Sequence, residues 1–222
     1  MRLDHKGIVQ LVEAVFEDGI PYVLEKLGPV TLRDAMEHPM IKEDLRSVRK
    51  SLEVSSQLCS AVGYMHSQDV THRDIKPGNI SLTPQGPKLF DFGLAKSPGG
   101  FDPLEERPDL LIGSINYLSP EQAGSGNPVG PYSDLYSLGA TMYWMLSSGK
   151  PLFDADDNLA FIYCHLNEAP NPIQSRNPEV PDQVAAVVEK ALQKDPKDRF
   201  SSAEEMKQAI DSCIQALPVS WH

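Results

Sequence analysis

Residues 133–148, SDLYSLGATMYWMLSS, are apolar on nearly every face of a helix. Such a helix belongs in the centre of a core, so the rest of the chain must wrap around it. Asp134 stands near its start, where a carboxylate can cap free amides, and Gly149 stands where the helix can end. With 222 residues and 41% hydrophobic content, the chain has enough material to bury one core and is not wholesale disordered. Its 19 Pro and 15 Gly belong mostly in connections. The expected fold is α+β and mainly α: a loop-rich helical body with a few strands.

The strands are expected early. IVQLVEAVF alternates imperfectly, EDG supplies a turn and IPYVLEKL is β-branched and aromatic, so residues 8–27 read as a hairpin. A lone hairpin is marginal in water and needs a body to lean on. TLRDAMEHP then reads as a short helix with Thr31 as its cap and Pro39 as its stop. From about Asp44 to His66, Leu45, Val48, Leu52, Leu58, Val62 and Met65 recur at near-helical spacing, which predicts one long buried helix. Pro77, Pro84 and Pro87 forbid a helix over 70–92, leaving short strands and tight loops. Residues 93–132 show no period and read as a long functional loop. Three further helices are expected at about 157–167, 181–194 and 202–216, the last opening on a capping box.

Charge and cysteines narrow the functional classes. Twenty Lys+Arg against 31 Asp+Glu give a formal net charge of −11, which argues against nucleic acid as a partner. Cys59, Cys164 and Cys213 are odd in number and form no C-x-x-C pair, so neither a disulfide framework nor a zinc site is favoured. A reducing, cytoplasmic setting is the expectation. The start, MRLDHKGIVQ, has no basic-then-apolar signal pattern, and no membrane-spanning run is present.

The segment HRDIKPGN at 72–79, followed by DFG at 91–93 and SPE at 119–121, carries the chemistry. Here the sequence resembles the Ser/Thr branch of the protein kinase family, with SDLYSLG at 133–139 and Arg199 in KDPKDRF extending the likeness. YLSPEQ and SLGATMYWML are most similar to bacterial kinases of this type. The resemblance covers most of the chain and implies the helical C-terminal lobe of such a domain, residues 28–222, behind a two-strand remnant of the N-terminal lobe and hinge, residues 1–27.

Phosphoryl transfer needs a carboxylate, a cation and metal ligands converging on one cleft, to align a hydroxyl and neutralise spreading charge. The resemblance implies that Asp74 orients and deprotonates the substrate hydroxyl, Lys76 steadies the transferred phosphate, and Asn79 with Asp91 hold Mg²⁺ beside ATP. It makes a protein Ser or Thr the acceptor. His72 packs and hydrogen-bonds the loop, while Phe92 and Gly93 complete the second motif. The resemblance also implies that Glu121 and Arg199 form a buried ion pair bracing the activation segment. In YVLEKLG at 22–28, Leu24 becomes the gatekeeper, and the backbone of Glu25 and Leu27 meets the adenine edge. By the same resemblance Ser114, in the G-S position where G-T is common, is expected to offer a hydroxyl to Asp74 and Lys76.

Three departures stand out. DHKGIV at 4–9 stands where such kinases often have H-P-N-I-V, and the sequence as given holds no G-x-G-x-x-G loop, no strand Lys in a V-A-I-K setting and no αC glutamate to pair with that Lys. The expectation is a fragment of a longer Ser/Thr kinase; the alternative is a truncated pseudokinase acting as a protein-binding scaffold. Ser81 stands where the family usually places a bulky apolar side chain under the adenine. Residues 98–113, PGGFDPLEERPDLLIG, contain no Ser, Thr or Tyr, although Arg73 is the residue that usually reads an activation-loop phosphate in related kinases. Asp109, or one of Asp102, Glu105 and Glu106, is the expected stand-in for that phosphate, against an ordinary solvated charge run.

Overall fold

The computed structural model describes residues 3–17, 20–25, 28, 30–38, 41–96 and 115–218. Strands β1 (Leu11–Glu17) and β2 (Ile20–Glu25) form the expected antiparallel hairpin, with Glu17 opposite Ile20 and Leu11 opposite Glu25. A second sheet carries β3 (Val30–Thr31), β4 (Ile80–Thr83) and β5 (Gly86–Leu89), antiparallel in that order. The N-terminal segment ties to its edge, because Val9 N donates to Leu89 O and Leu89 N to Gly7 O, at 2.8 and 2.9 Å.

Helix α1 (Leu32–Glu37) starts at Thr31, whose hydroxyl accepts from Asp34 N at 3.2 Å. The single helix expected from Asp44 is instead two, α2 (Lys42–Arg46) and α3 (Val48–Ser67). Ser47 makes the break: its backbone is extended, and its hydroxyl caps α3 by accepting from Lys50 N at 3.1 Å. The apolar spacing runs through the break because Leu45 and Val48 bury into the same core from either side.

Helix α4 (Pro131–Leu146) begins two residues before the apolar stretch, with Pro131 at its first turn and Ser133 Oγ accepting from Gly130 N at 3.2 Å. It is buried on nearly every face, as its composition requires. Helix α3 packs on it from one side, as does α7 (Asp182–Ala191). Gly139 permits that second contact, since a Cβ there would stand 2.7 Å from the Cβ of Ala191. Helix α8 (Ala203–Ala216) closes the core against α3 and α7, capped by Ser202 Oγ accepting from Glu205 N at 3.1 Å. Between α4 and α7 lie α5 (Asn158–Asn167) and the unexpected single turn α6 (Ile173–Arg176). No described helix is long and apolar enough to cross a membrane.

The three cysteines are free, and burial pushes the Cys59 thiol up to about 12, so it behaves as a small apolar side chain. His165 on α5 is fully buried beside Tyr136, with the phenol oxygen and Nδ1 3.0 Å apart. Burial first, and then the nearby Lys194 charge, lower His165 to about 3. Lys194 itself donates to the carbonyls of Cys164 and His165 at 3.0 and 2.8 Å, capping the end of α5.

A histidine whose folded value lies below its unfolded one contributes stability that is complete above the unfolded value of 6.5 and is lost as the pH falls towards about 3. Wild-type stability is therefore expected to fall by about 2 kcal/mol more than that of His165→Gln between pH 7.5 and pH 5. Urea titrations across that range measure this, and parallel curves for the two proteins would count against it.

Candidate active site

After α3 the chain turns at Asp69, in the left-handed region at φ 56°, and pairs Thr71 with Lys96 through two 3.0 Å backbone bonds. The loop from His72 to Asn79 follows. Asp134, fully buried on α4, organises it: Oδ2 accepts from His72 N at 2.9 Å and Oδ1 from Arg73 N at 2.8 Å. His66, from the last turn of α3, adds its Nε2 at 2.8 Å from Oδ2. Asp134 does cap free amides, but those of this loop and not of its own helix. With its backbone so held, Arg73 takes φ 68°, a conformation that a non-glycine residue keeps only when its surroundings impose it.

His72 is fully buried and braces both halves of the site. Its Nδ1 accepts from Asp74 N at 3.3 Å, which assigns the proton to Nε2, donated to Phe90 O at 3.2 Å. Its ring lies 4.8 Å from that of Phe92. Phe90 N in turn donates to Asn79 O at 3.1 Å. The loop ahead of Asp91 is thus pinned to both ends of the 72–79 segment. Asp91 itself is exposed and left-handed at φ 62°, with Oδ1 accepting from Gly93 N at 3.3 Å.

Asp74, Lys76 and Asn79 converge as expected. Asp74 Oδ2 accepts from Lys76 Nζ at 2.7 Å and Asn79 Nδ2 at 2.8 Å, and Asn79 Nδ2 also reaches Asp74 O at 2.9 Å. The other carboxylate oxygen, Asp74 Oδ1, is buried without a hydrogen-bond partner. A buried carboxylate oxygen left unbonded is costly, and a hydroxyl donor arriving there would satisfy it. Asp74 lines a recess with Tyr117, Leu118 and Gln122. A separate cavity of about 470 Å³, bounded by Tyr143, Ile173, Val188, Leu192 and Lys194, shares no residue with this recess.

The segment after the recess is fastened twice. Gln122 Nε2 donates to Arg73 O at 2.7 Å. Glu121 and Arg199 form a bidentate pair at 2.8 and 2.9 Å, both side chains wholly buried. The remaining guanidinium protons go to Gln193 O, Tyr132 O and Lys194 O, so all five are used.

Leu24 and Glu25 lie at the end of β2, while Leu27 and Ser114 fall outside the described residues, as do Asp102, Glu105, Glu106 and Asp109. Ser81 is buried in β4, its Oγ accepting from Gly28 N at 2.6 Å. Two supporting residues were not assigned a role from the sequence: His66, whose place one turn before the loop is a usable signal, and Gln122, which closes the YLSPEQ stretch. Among the described residues no three His, Cys, Asp or Glu side chains gather as metal ligands. Asn79 and Asp91 offer oxygen donors alone, which suits a cation that completes its shell with water and phosphate oxygens.

Residues 1–210 match the protein kinase domain family. A probable serine/threonine-protein kinase of Streptomyces coelicolor is 36% identical over 98% of this chain and 32% of its own length. The serine/threonine-protein kinase PknB of Mycolicibacterium smegmatis is 36% identical over 92% of this chain and 33% of its own. The serine/threonine-protein kinase PksC of Streptomyces coelicolor is 34% identical over 96% and 39%. The chain thus spans between about a third and two fifths of these curated relatives.

Proposed function

The chain belongs to the protein kinase domain family, and from that premise we propose that it transfers the γ-phosphoryl group of ATP to a Ser or Thr hydroxyl of a protein. The observation that carries this reading is Asp74 Oδ1, buried and unbonded beside an oxygen that Lys76 and Asn79 already hold. In the reaction Asp74 Oδ1 accepts the hydroxyl proton as the substrate oxygen bonds to phosphorus. The bond from the γ-phosphorus to the bridging oxygen breaks, and ADP leaves. Lys76 Nζ, 2.7 Å from the same carboxylate, stands where it can balance charge on the transferred group.

Asn79 and Asp91 would hold Mg²⁺, which supplies neutralisation of the phosphate oxygens when bound. Leu24, Glu25 and Leu27 would meet the base. In this reading residues 1–27 are the remnant of the N-terminal lobe and hinge, and 28–222 the helical lobe, within a longer enzyme. The net charge of −11 favours a basic protein substrate over nucleic acid, and three free thiols favour a reducing, cytoplasmic setting.

Calorimetry tests the reading. Mg²⁺-dependent ATP binding is expected in the wild type and is expected to vanish in Asp91→Asn. Absence of binding, or equal binding by the variant, would overturn the assignment.

A further inference from the structure

We propose that Ser81 is a positioning residue for the nucleotide base: its hydroxyl holds the chain at Gly28 against β4 and so fixes the strap that the base meets. The inference rests on the phosphoryl-transfer reading above and deepens it. Ser81 occupies the middle strand of its sheet, opposite Thr31 on one side and Lys88 on the other, with 1% of its surface exposed. Its Oγ lies 2.6 Å from Gly28 N, a tie between residues 53 apart in sequence.

The two residues are matched in size. A Cβ on Gly28 would meet Leu82 O at 2.4 Å, Ser81 Oγ at 2.6 Å and Thr83 Cγ2 at 2.9 Å. Backbone therefore rests directly on strand, and only a residue without a side chain can sit there. A bulky apolar group at 81 would occupy the same space and lift the chain at Gly28 away. Serine instead offers a small acceptor that satisfies the Gly28 amide. In place of a bulky apolar side chain, this chain has a small polar one at 81, and Gly28 is bonded onto it. On this proposal some burial of the base is lost, and the bond at Gly28 restrains the chain next to the base, so less ordering is needed when the base binds.

The test uses adenosine, which has no phosphates and so reports on the base site alone. In wild type the Gly28 amide is expected to exchange slowly with solvent, and adenosine to bind, both followed by NMR. Ser81→Ala, which removes one oxygen, is expected to speed Gly28 exchange at least tenfold and weaken adenosine about fivefold, with the amides of α4 unchanged. Gly28→Ala is expected to weaken adenosine by displacing the same strap through its Cβ, independently of whether Ser81→Ala folds well.

Wild-type binding with unchanged adenosine affinity in Ser81→Ala overturns the proposal and leaves the phosphoryl-transfer reading standing, as does Gly28 exchange that ignores the substitution. Failure of wild type to bind adenosine overturns the nucleotide reading, and the proposal with it.

Discussion

Arg199→Ala is expected to cost about 3–5 kcal/mol of folding stability, out of a total that for ordinary domains is about 5–15 kcal/mol. The substitution leaves the Glu121 carboxylate wholly buried without its partner and removes the donors from Gln193 O, Tyr132 O and Lys194 O. The loss comes from stranding a charge, more than from the net attraction of the pair. Glu121→Gln/Arg199→Met, which removes both charges, is therefore expected to be more stable than Arg199→Ala. Urea unfolding reads both effects as shifts of midpoint at constant slope. A loss below about 1 kcal/mol in Arg199→Ala would mean that the pair behaves like an exposed one, contrary to its geometry.

Asp74→Asn is expected to slow phosphoryl transfer by about 10²–10⁴-fold while leaving the thermal midpoint close to wild type. The amide keeps the size of the carboxylate, and its carbonyl oxygen can still accept from Lys76 and Asn79 in the place of Oδ2. The atom at Oδ1 becomes a donor and can no longer take a proton from an arriving hydroxyl. Affinity for Mg²⁺ and ATP is expected to stay near wild type, so the loss falls in turnover and not in binding. Activity retained within about tenfold would place the base elsewhere.

Much of this site was legible in the sequence because its residues lie close together along the chain. Asp74, Lys76 and Asn79 fall within six positions, and the strands that follow bring Asp91 back to them through the Phe90 bonds. Helix α4 was legible because a helix apolar all round has one place to go. What sequence could not show is where a polar group finds its partner across space. Asp134 had the position of a helix cap, yet its acceptors serve His72 and Arg73, 62 and 61 residues away. Gln122 bonds locally to Ser119, three residues before it, but its tie to Arg73 O, 49 residues away, follows from no local pattern. The break at Ser47 was invisible because a hydrophobic period survives it: two helices bent at one residue can bury the same side.

The carboxylate of Asp134 has a mechanical consequence. Three donors from the 72–79 loop and α3 meet on it, at the first turn of a helix buried in the core. Asp134 is a datum in the engineer's sense, a mark on the core from which the loop is set by three short bonds. Asp74 is mounted on the frame of the molecule and is not a lever that swings. On the proposed phosphoryl-transfer reading, control would act on what is brought up to Asp74, because the loop that carries it is held by Asp134.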